Sequence, residues 1–288
     1  MPPIALRASR GLTASEATLG RRAARETAKR RRARRGQAIA AVSSLIVIGG
    51  LIALAVTSPG WPTVRDTFFS WSAFKDSFPD VAKAFWLDIK MFCVIEAAVL
   101  VVGMVVALVR TSQAAALFPL RLLAAVFVDV FRGVPVILLV YLVGFGIPAL
   151  ELSGLPSDPI ILGGVALTLS YSAYVAEVYR SGIASIHRGQ RDAALAIGLT
   201  EGQALRHVIL PQAVRRVGPP LLNDFIALQK DVALVSILGV VEAFRQAQII
   251  SSSTFNYTAL VGAALLYLCV TIPLSRVLDR WGIGGRRV

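Results

Sequence analysis

Apolar runs long enough to cross a lipid bilayer occupy much of this 288-residue sequence. A membrane-spanning helix needs about 20 mostly apolar residues, because the hydrocarbon core is about 30 Å thick and each helical residue adds about 1.5 Å. The composition agrees, since 56% of the residues are hydrophobic and 16% are charged, against about 45–50% and about 25% in soluble domains. A soluble enzyme, a disordered chain and a disulfide scaffold are therefore excluded. Five runs are clear, at 38–57, 91–109, 133–150, 160–176 and 258–275.

A further span, between the fourth and the last of these runs, is interrupted by polar residues. Only 232–241 is free of charge there, which is too short to cross a bilayer. The segment reaches spanning length if its helix begins near Pro220 and carries Asn223, Asp224, Gln229, Lys230 and Asp231. Because such groups are costly in hydrocarbon, we expect them to face protein, water or a partner. The sequence thus predicts an all-α integral membrane protein with six transmembrane helices.

The positions of the Lys and Arg residues predict the orientation of these spans. With both termini inside, 24 of these residues flank the spans on the inner side and four on the outer side. An excess of Lys and Arg is typical of cytoplasmic loops, so both termini are expected in the cytoplasm. A net charge of +13 in a soluble chain would suggest a nucleic-acid partner. Here the charge follows the ends of the spans, which predicts a lipid bilayer and no nucleic acid.

The loop between the fourth and fifth spans, residues 180–219, is cytoplasmic by this count and does not have the composition of a polar linker. Ala193, Ala194 and Ile197 share one face at helical spacing, which predicts a short amphipathic helix. Gly198 can adopt the positive φ that commonly ends a helix. We therefore expect the first helix of this loop to end at Gly198.

A second short helix is predicted directly after the first. Thr200 and Gln203 have the spacing of a capping box, and Pro211 and then Pro219 and Pro220 mark the return to the membrane. The apolar face of this helix is formed by Ala204, Leu205, Val208 and Ile209. Apolar helix faces in the cytoplasm must be covered. They lie on the bilayer or the spans, or they fill a groove on another protein; the residues alone leave both possibilities open.

A spaced motif runs through this loop. Asp192-Ala193-Ala194 is followed after three residues by Gly198, and after nine more by Val208-Ile209-Leu210-Pro211. This motif resembles the signature of binding-protein-dependent ABC importer permeases of the type I fold, with Asp192 in place of Glu and Val208 in place of Ile. The resemblance implies that the loop docks in a cleft of a separate ATPase subunit. The residues expected at that contact are Gly189, Asp192, Ala193, Ala194, Gly198, Leu199, Leu205, Val208, Leu210 and Pro211.

Three further segments resemble the polar amino acid branch of that family. They are Phe131-Arg132-Gly133-Val134-Pro135, the stretch 176–183, and Lys230-Asp231-Val232-Ala233-Leu234-Val235-Ser236. The resemblance covers about residues 75–280. It implies a subunit that forms the pathway of an ATP-driven importer of polar amino acids in a bacterial cytoplasmic membrane. The partners implied are an ATP-binding cassette ATPase, a second identical or homologous permease and an external solute-binding protein.

The predicted organisation adds one N-terminal helix to the five-helix core of the family. It consists of a basic cytoplasmic tail, expected to be disordered, an extra transmembrane helix, an external segment, a permease domain that contains the coupling loop 180–219, and a second basic cytoplasmic tail. The respective boundaries are 1–36, 37–58, 59–87, 88–280 and 281–288. Family members typically have five spans and an external N-terminus, so the extra helix brings this N-terminus inside, in agreement with its basic charge.

No motif for ATP binding is present. A phosphate-binding loop needs Gly-x4-Gly-Lys-Ser/Thr, and none of the five lysines follows a glycine. ATP and Mg are therefore expected on the partner ATPase, with no cofactor and no enzymatic activity on this chain. Two histidines, both in the loop, and two separate cysteines offer no metal-ligand spacing and no catalytic set.

Six residues are candidates for the translocation pathway: Glu96, Arg132, Pro135, Glu177, Lys230 and Asp231. Glu96 is the most isolated charge, and it either lines the pathway and contacts a substrate ammonium group or pairs with Arg132 or Lys90. A local ion pair is expected between Asp129 and Arg132, and Glu177 repeats that spacing with Arg180. The Lys230-Asp231 pair is either part of a gate or docking element, or a solvated helix end.

The sequence leaves two alternatives to an importer of polar amino acids. A permease of this class could carry another small solute, such as an osmolyte. An ion-coupled secondary transporter would typically contain internal repeats, which the sequence does not have, and it would leave the two-helix loop without a partner. A membrane enzyme lacks any candidate acid, base or metal set.

Overall fold

The computed structural model describes residues 36–37, 39–112 and 114–284, with side chains up to residue 277. Within these residues the chain is helical and has no strand. The predicted tails, 1–36 and 281–288, lie almost wholly outside the described side chains. The chain divides into two units, 1–64 and 65–288, which are described separately.

The first unit contains helix α1 (Ile39–Val56), which matches the predicted N-terminal span. It holds no charge and no proline, and none of its residues is buried. A helix that is apolar on all sides is stable where lipid covers it.

Helices α2 (Trp61–Phe68) and α3 (Trp71–Thr111) follow, and α2 crosses the division between the two units. The Ser70 side chain caps α3 by accepting from the Ala73 N–H. With 41 residues, α3 is about 62 Å long, so it extends through most of the predicted external segment. The buried face of α3 recurs at helical spacing and includes Val81, Phe85, Asp88, Phe92, Ile95 and Val99.

The prediction that residues 133–150 form a spanning helix by themselves is wrong. Helices α4 (Phe118–Gly133) and α5 (Val136–Ala149) meet at a bend of 106°. The bend lies at Val134 and Pro135, because proline lacks an N–H and forces the residue before it out of the helical region. With 14 residues, α5 is about 21 Å long, too short to cross a bilayer alone. Together the two helices have the length and composition of one span.

Helix α6 (Pro159–Ala184) is the centre of the second unit and packs against α3, α4 and α5. Its N-terminus is capped by Asp158, whose carboxylate accepts from the N–H groups of Ile160 and Ile161. Gly163 allows close packing, since a Cβ there would lie 2.6 Å from Val235 Cγ1. The main core joins α3, α5, α6 and the segment 221–240, and includes Val99, Val140, Leu167, Leu228 and Val232.

The loop after α6 contains α7 (Arg188–Ala196), α8 (Glu201–Ala204) and a π-helical turn (Leu205–Ile209), which runs directly into α9 (Leu210–Asp231). The prediction of a second short helix that ends before the membrane is therefore wrong, and so is a fifth span beginning near Pro220. Helix α9 continues through Pro219 and Pro220 because tertiary packing outweighs the lost hydrogen bonds. Residues on both sides of the prolines, including Ala213, Val217 and Ile226, are buried.

After α9 the chain forms a 3-10 helix (Val232–Leu238), which ends at Gly239 with φ +90°. Helix α10 (Ala243–Thr254) and helix α11 (Thr258–Gly284) complete the fold and pack with each other and with α3. Four stretches of the described residues are long and apolar enough to cross a membrane, or five if the bent pair forms one span. The four are Ile39–Val56, Trp61–Thr111, Pro159–Ala184 and Thr258–Val277.

Candidate functional site

The first helix of the loop, α7, is capped at both ends. At its start, His187 Nδ1 accepts a hydrogen bond from the Gly189 N–H over 3.1 Å. At its end, the N–H of Leu199 donates to the Ala194 carbonyl at 3.2 Å, and Gly198 has φ +89°. The prediction that this helix ends at Gly198 is confirmed. A Cβ at Gly198 would meet nothing within 4 Å, so the requirement for glycine within this chain is conformational.

The predicted capping box at Thr200 and Gln203 is also confirmed. The Gln203 N–H donates to Thr200 Oγ1 at 3.4 Å, and the Thr200 N–H donates to Gln203 Oε1 at 2.9 Å. These two bonds satisfy N–H groups that the first turn of a helix leaves unpaired.

An ion pair joins the two helices of the loop. Arg191 Nε lies 2.9 Å from one carboxylate oxygen of Glu201, and Arg191 Nη2 lies 2.7 Å from the other. The Arg191 guanidinium holds the pKa of the Glu201 carboxyl below its usual value. The sequence motif did not reveal this pair, because the two residues come together only once the Gly198 turn has formed.

The ten residues expected at the ATPase contact divide by exposure. One of them, Ala194, is buried. Four are half-buried: Leu199, Leu205, Val208 and Leu210. Five are exposed: Gly189, Asp192, Ala193, Gly198 and Pro211. Beside the exposed group lies Ile197, whose relative exposure of 80% is high for an aliphatic residue. Its position one turn after Ala193 was the signal in the sequence. The loop therefore presents an uncovered face centred on Ala193, Ile197 and Gly198.

The polar residues of the spans form a second site. Glu96 of α3 is half-buried, and its carboxylate is close enough to Asp224 of α9 for electrostatic repulsion. Arg132 of α4 attracts Asp224 in turn. Asp224 is thus within electrostatic range of Glu96 on α3 and of Arg132 on α4, and we refer to Glu96, Asp224 and Arg132 as the mixed-charge cluster. Asp224 Oδ2 is buried and has no hydrogen-bond partner among the described residues.

Three ion pairs considered from the sequence, Asp129–Arg132, Glu96–Arg132 and Glu96–Lys90, do not form in the described part of the chain. The Arg132 guanidinium lies 5.4 Å from the centre of the Tyr174 ring rather than against Asp129. Lys90 Nζ lies 5.9 Å from the centre of the Trp86 ring and forms no ion pair with Glu96. A cation over an aromatic face keeps its charge and remains available to an anion.

The remaining pathway candidates occupy different surroundings. Asp231 accepts a hydrogen bond from the Tyr171 hydroxyl at 2.7 Å, while Lys230 is exposed. Pro135 is exposed and caps α5 at the bend. Glu177 forms ion pairs with Arg180, as its spacing predicted, and with Arg110 of α3 at 2.7 Å. Its carboxylate therefore ties α3 to α6.

The chain matches one protein family over more than half of its length. The family of binding-protein-dependent transport system inner membrane components matches residues 100–281. The protein belongs to this family. The permease is 34% identical over 213 residues to the glutamine transport system permease protein GlnP of Escherichia coli strain K12. This alignment covers 74% of the permease and 95% of GlnP. It is 32% identical to the arginine transport system permease protein ArtQ of Bacillus subtilis strain 168, over 71% of this chain and 92% of ArtQ.

A solved structure supports the same conclusion. The permease aligns with a chain from the crystal structure of an amino acid ABC transporter with histidines at a TM-score of 0.65 and 30% sequence identity. The alignment covers 77% of this permease and 98% of that chain. The family resemblance read from the loop motif is thus confirmed, and so is an all-helical ABC permease fold in the membrane.

Proposed function

We propose that this permease forms the translocation pathway of an ATP-driven, binding-protein-dependent importer of polar amino acids. The observation that carries this proposal is the mixed-charge cluster. A free amino acid has an ammonium group and a carboxylate, and Glu96 with Asp224 is complementary to the first while Arg132 is complementary to the second. The names of GlnP and ArtQ support a polar amino acid as substrate.

The motor is a separate ATPase subunit that docks on the uncovered face of the loop. Exposed Ala193, Ile197 and Gly198 offer small and apolar contacts, and the open space around Gly198 admits a close approach. The Gly198 turn, the capping box and the Arg191–Glu201 pair fix the geometry of this face before the partner arrives, which lowers the entropic cost of binding. ATP and Mg are bound by the ATPase, and this chain carries no cofactor.

A second permease, identical or homologous, completes the pathway. Pro135, Lys230 and Asp231 line it together with the mixed-charge cluster, and Glu177 supports it from the inner side. ATP binding closes the two motors and draws the loops together, which opens the pathway outward to the solute-binding protein. Hydrolysis then resets it, so that nucleotide and substrate each stabilise one of two states.

Six helices cross the bacterial cytoplasmic membrane in this arrangement. They are α1, α3, the bent pair α4 and α5, α6, the segment formed by α9 and the 3-10 helix, and α11. The α9 segment is a polar, cavity-lining span. Both termini, with the basic tails 1–36 and 281–288, lie in the cytoplasm, and the loop 180–219 lies on the same side. The excess of Lys and Arg on that side supports this topology.

The proposal is tested by purification and reconstitution. The tagged chain is isolated from membranes in mild detergent, and its companions are identified by mass spectrometry; we expect an ATP-binding subunit in about equal amount. The complex is then placed in proteoliposomes with the solute-binding protein and labelled glutamine or arginine. Uptake should require ATP and persist when ion gradients are collapsed. Uptake driven by an ion gradient without ATP would instead identify a secondary transporter, and ATP-driven uptake of an osmolyte but no amino acid would overturn the substrate.

A further inference from the structure

Two carboxyl groups outside the mixed-charge cluster are completely buried. Asp88 of α3 has 1% relative exposure, and Glu242, directly before α10, has 0%. Their side chains lie within hydrogen-bonding reach of each other. Nothing in the sequence indicates this contact, since 154 positions separate the two residues.

The hydroxyl group of Tyr267 lies between the two carboxyl groups. It is 3.3 Å from Asp88 Oδ2 and 3.3 Å from Glu242 Oε2. The N–H of Ala243 also donates to Asp88 Oδ2, at 3.2 Å. Helices α3, α10 and α11 therefore meet at one small polar centre.

The two carboxyl groups differ in the donors that face them. Glu242 caps α10, and its two oxygens accept from the N–H groups of Phe244 and Arg245 at 2.7 Å each. A helix N-terminus and two charge-assisted bonds favour an ionised carboxylate. Asp88 Oδ1, in contrast, is buried and has no hydrogen-bond partner among the described residues.

No cation neutralises this pair in the described part of the chain. The centre is enclosed by an apolar cluster of Val81, Phe85, Ala243, Ala247, Ala259 and Ala263. The nearest basic side chains along the sequence are engaged elsewhere, because Lys90 lies over the Trp86 ring and Arg245 donates to Gln248. The 3-10 helix, which also packs against α10, has no titratable residue.

We propose that Asp88 and Glu242 share a single proton, which Asp88 donates to the ionised carboxylate of Glu242. Two adjacent carboxylates cannot both remain ionised in an apolar enclosure without a cation, and one proton between them replaces repulsion by a hydrogen bond. The site is thus a proton-binding site that fastens the start of α10 to α3 and α11. It does not depend on the proposed function of the permease.

The test is infrared spectroscopy of the purified transporter complex in lipid nanodiscs at neutral pH. We expect a C=O stretching band of a protonated carboxyl group that shifts in deuterated water. Asp88→Asn should remove this band and preserve the fold, since the amide can still donate to Glu242. Glu242→Gln should shift the band, because Asp88 then loses its ionised acceptor. Asp80→Asn, an exposed position on the same helix, is the matched control and should leave the band unchanged.

Thermal unfolding provides a second measurement. The folded protein holds a proton that the unfolded chain has already released at neutral pH, so raising the pH should lower the melting temperature. Asp88→Asn, which holds no such proton, should lose part of this dependence, and Asp80→Asn should keep it. A wild-type spectrum without the band, a band that survives Asp88→Asn, or equal pH dependence in wild type and Asp88→Asn would each overturn the shared proton.

Discussion

The guanidinium group of Arg191 and the carboxylate of Glu201 form a two-bonded ion pair across the Gly198 turn, at 2.9 Å and 2.7 Å. This pair fixes the angle between α7 and α8, and hence the face proposed to meet the ATPase. Reversing one charge, as in Arg191→Glu, should place two carboxylates together and loosen the loop. We expect a several-fold loss of ATP-coupled uptake in proteoliposomes, with the amount of folded permease unchanged.

The double variant Arg191→Glu/Glu201→Arg is the control for this prediction. It restores opposite charges across the turn and should recover much of the uptake. If the double variant remained as impaired as the single one, Arg191 would act through the partner rather than through Glu201. The lowered pKa of Glu201 means that the pair is intact above the usual carboxyl range and is lost as the pH falls below it. The contribution of this pair to coupling should therefore stay constant between about pH 6 and pH 8.

Gly198 provides a test that separates backbone conformation from surface contact. At φ +89° a β-branched residue is strained, whereas Asn tolerates the left-handed region. Gly198→Val should destabilise the turn by about 1–2 kcal/mol and reduce coupled transport. Gly198→Asn should keep the turn but place a side chain in the open space, so it should weaken ATPase binding while the melting temperature stays near that of wild type. Wild-type copurification of the ATPase with Gly198→Asn would argue against a close approach at this site.

Ile197 is the strongest candidate for a contact that the family motif does not contain. Because its side chain is 80% exposed, Ile197→Ser should leave the stability of the permease within about 0.5 kcal/mol of wild type. If the ATPase covers this side chain, the loss of ATPase in pull-down should be about tenfold, as for a central apolar contact of an interface. Ile249→Ser, at an exposed isoleucine of α10, is the matched control and should retain the ATPase. Equal retention by both variants would remove Ile197 from the interface.

The mixed-charge cluster predicts different effects on transport and on assembly. Glu96→Gln removes a carboxylate proposed to meet the substrate ammonium group, and charged hydrogen bonds contribute about 1.5–3 kcal/mol. The KM for uptake should rise about tenfold or more, with the ATPase still bound. Asp224→Asn should act in the same direction, and the double variant should be less than additive because both residues face one group. Unchanged uptake in both single variants would assign the cluster a structural role.

Glu177 should affect stability rather than substrate affinity. Its carboxylate bridges Arg110 and Arg180, with 23% of the side chain exposed. Glu177→Gln leaves two guanidinium groups facing each other, so we expect a loss of about 1–3 kcal/mol in the free energy of unfolding. Arg180→Gln should cost less, since Arg110 remains paired. A raised KM at unchanged melting temperature would place Glu177 on the substrate path instead.

The sequence predicts those parts of the fold whose determinants are local. Gly198, Thr200 and Gln203 specify a helix end and a helix start through their own backbone contacts, and both form as expected. A run of apolar residues likewise predicts α1, α6 and α11. These features do not depend on what packs against them.

The sequence-based predictions are wrong where contacts between helices determine the local structure. Pro219 and Pro220 predict a helix boundary, yet burial of Val217 and Ile226 on either side continues α9. The apolar run at 133–150 predicts a span of its own, but its helix α5 is too short to cross alone, and the conformation required before Pro135 sets it at a bend to α4. The sequence shows Asp224 to be a polar residue within a span, but its position near Glu96 and Arg132 is set only when three helices are assembled. Contacts of this kind have no signature in the sequence.

The two prolines in α9 also have a mechanical consequence. Each lacks the N–H that would bond four residues back, so the carbonyl groups of Arg215 and Arg216 lose their partners within the helix. A helix from which two adjacent bonds are missing is most compliant at that point. This point lies between the loop at the start of α9 and Asp224 further along it. Helix α9 therefore contains a hinge at the two prolines. A force on its cytoplasmic half should bend the helix at this hinge, just before the charged residues of the span.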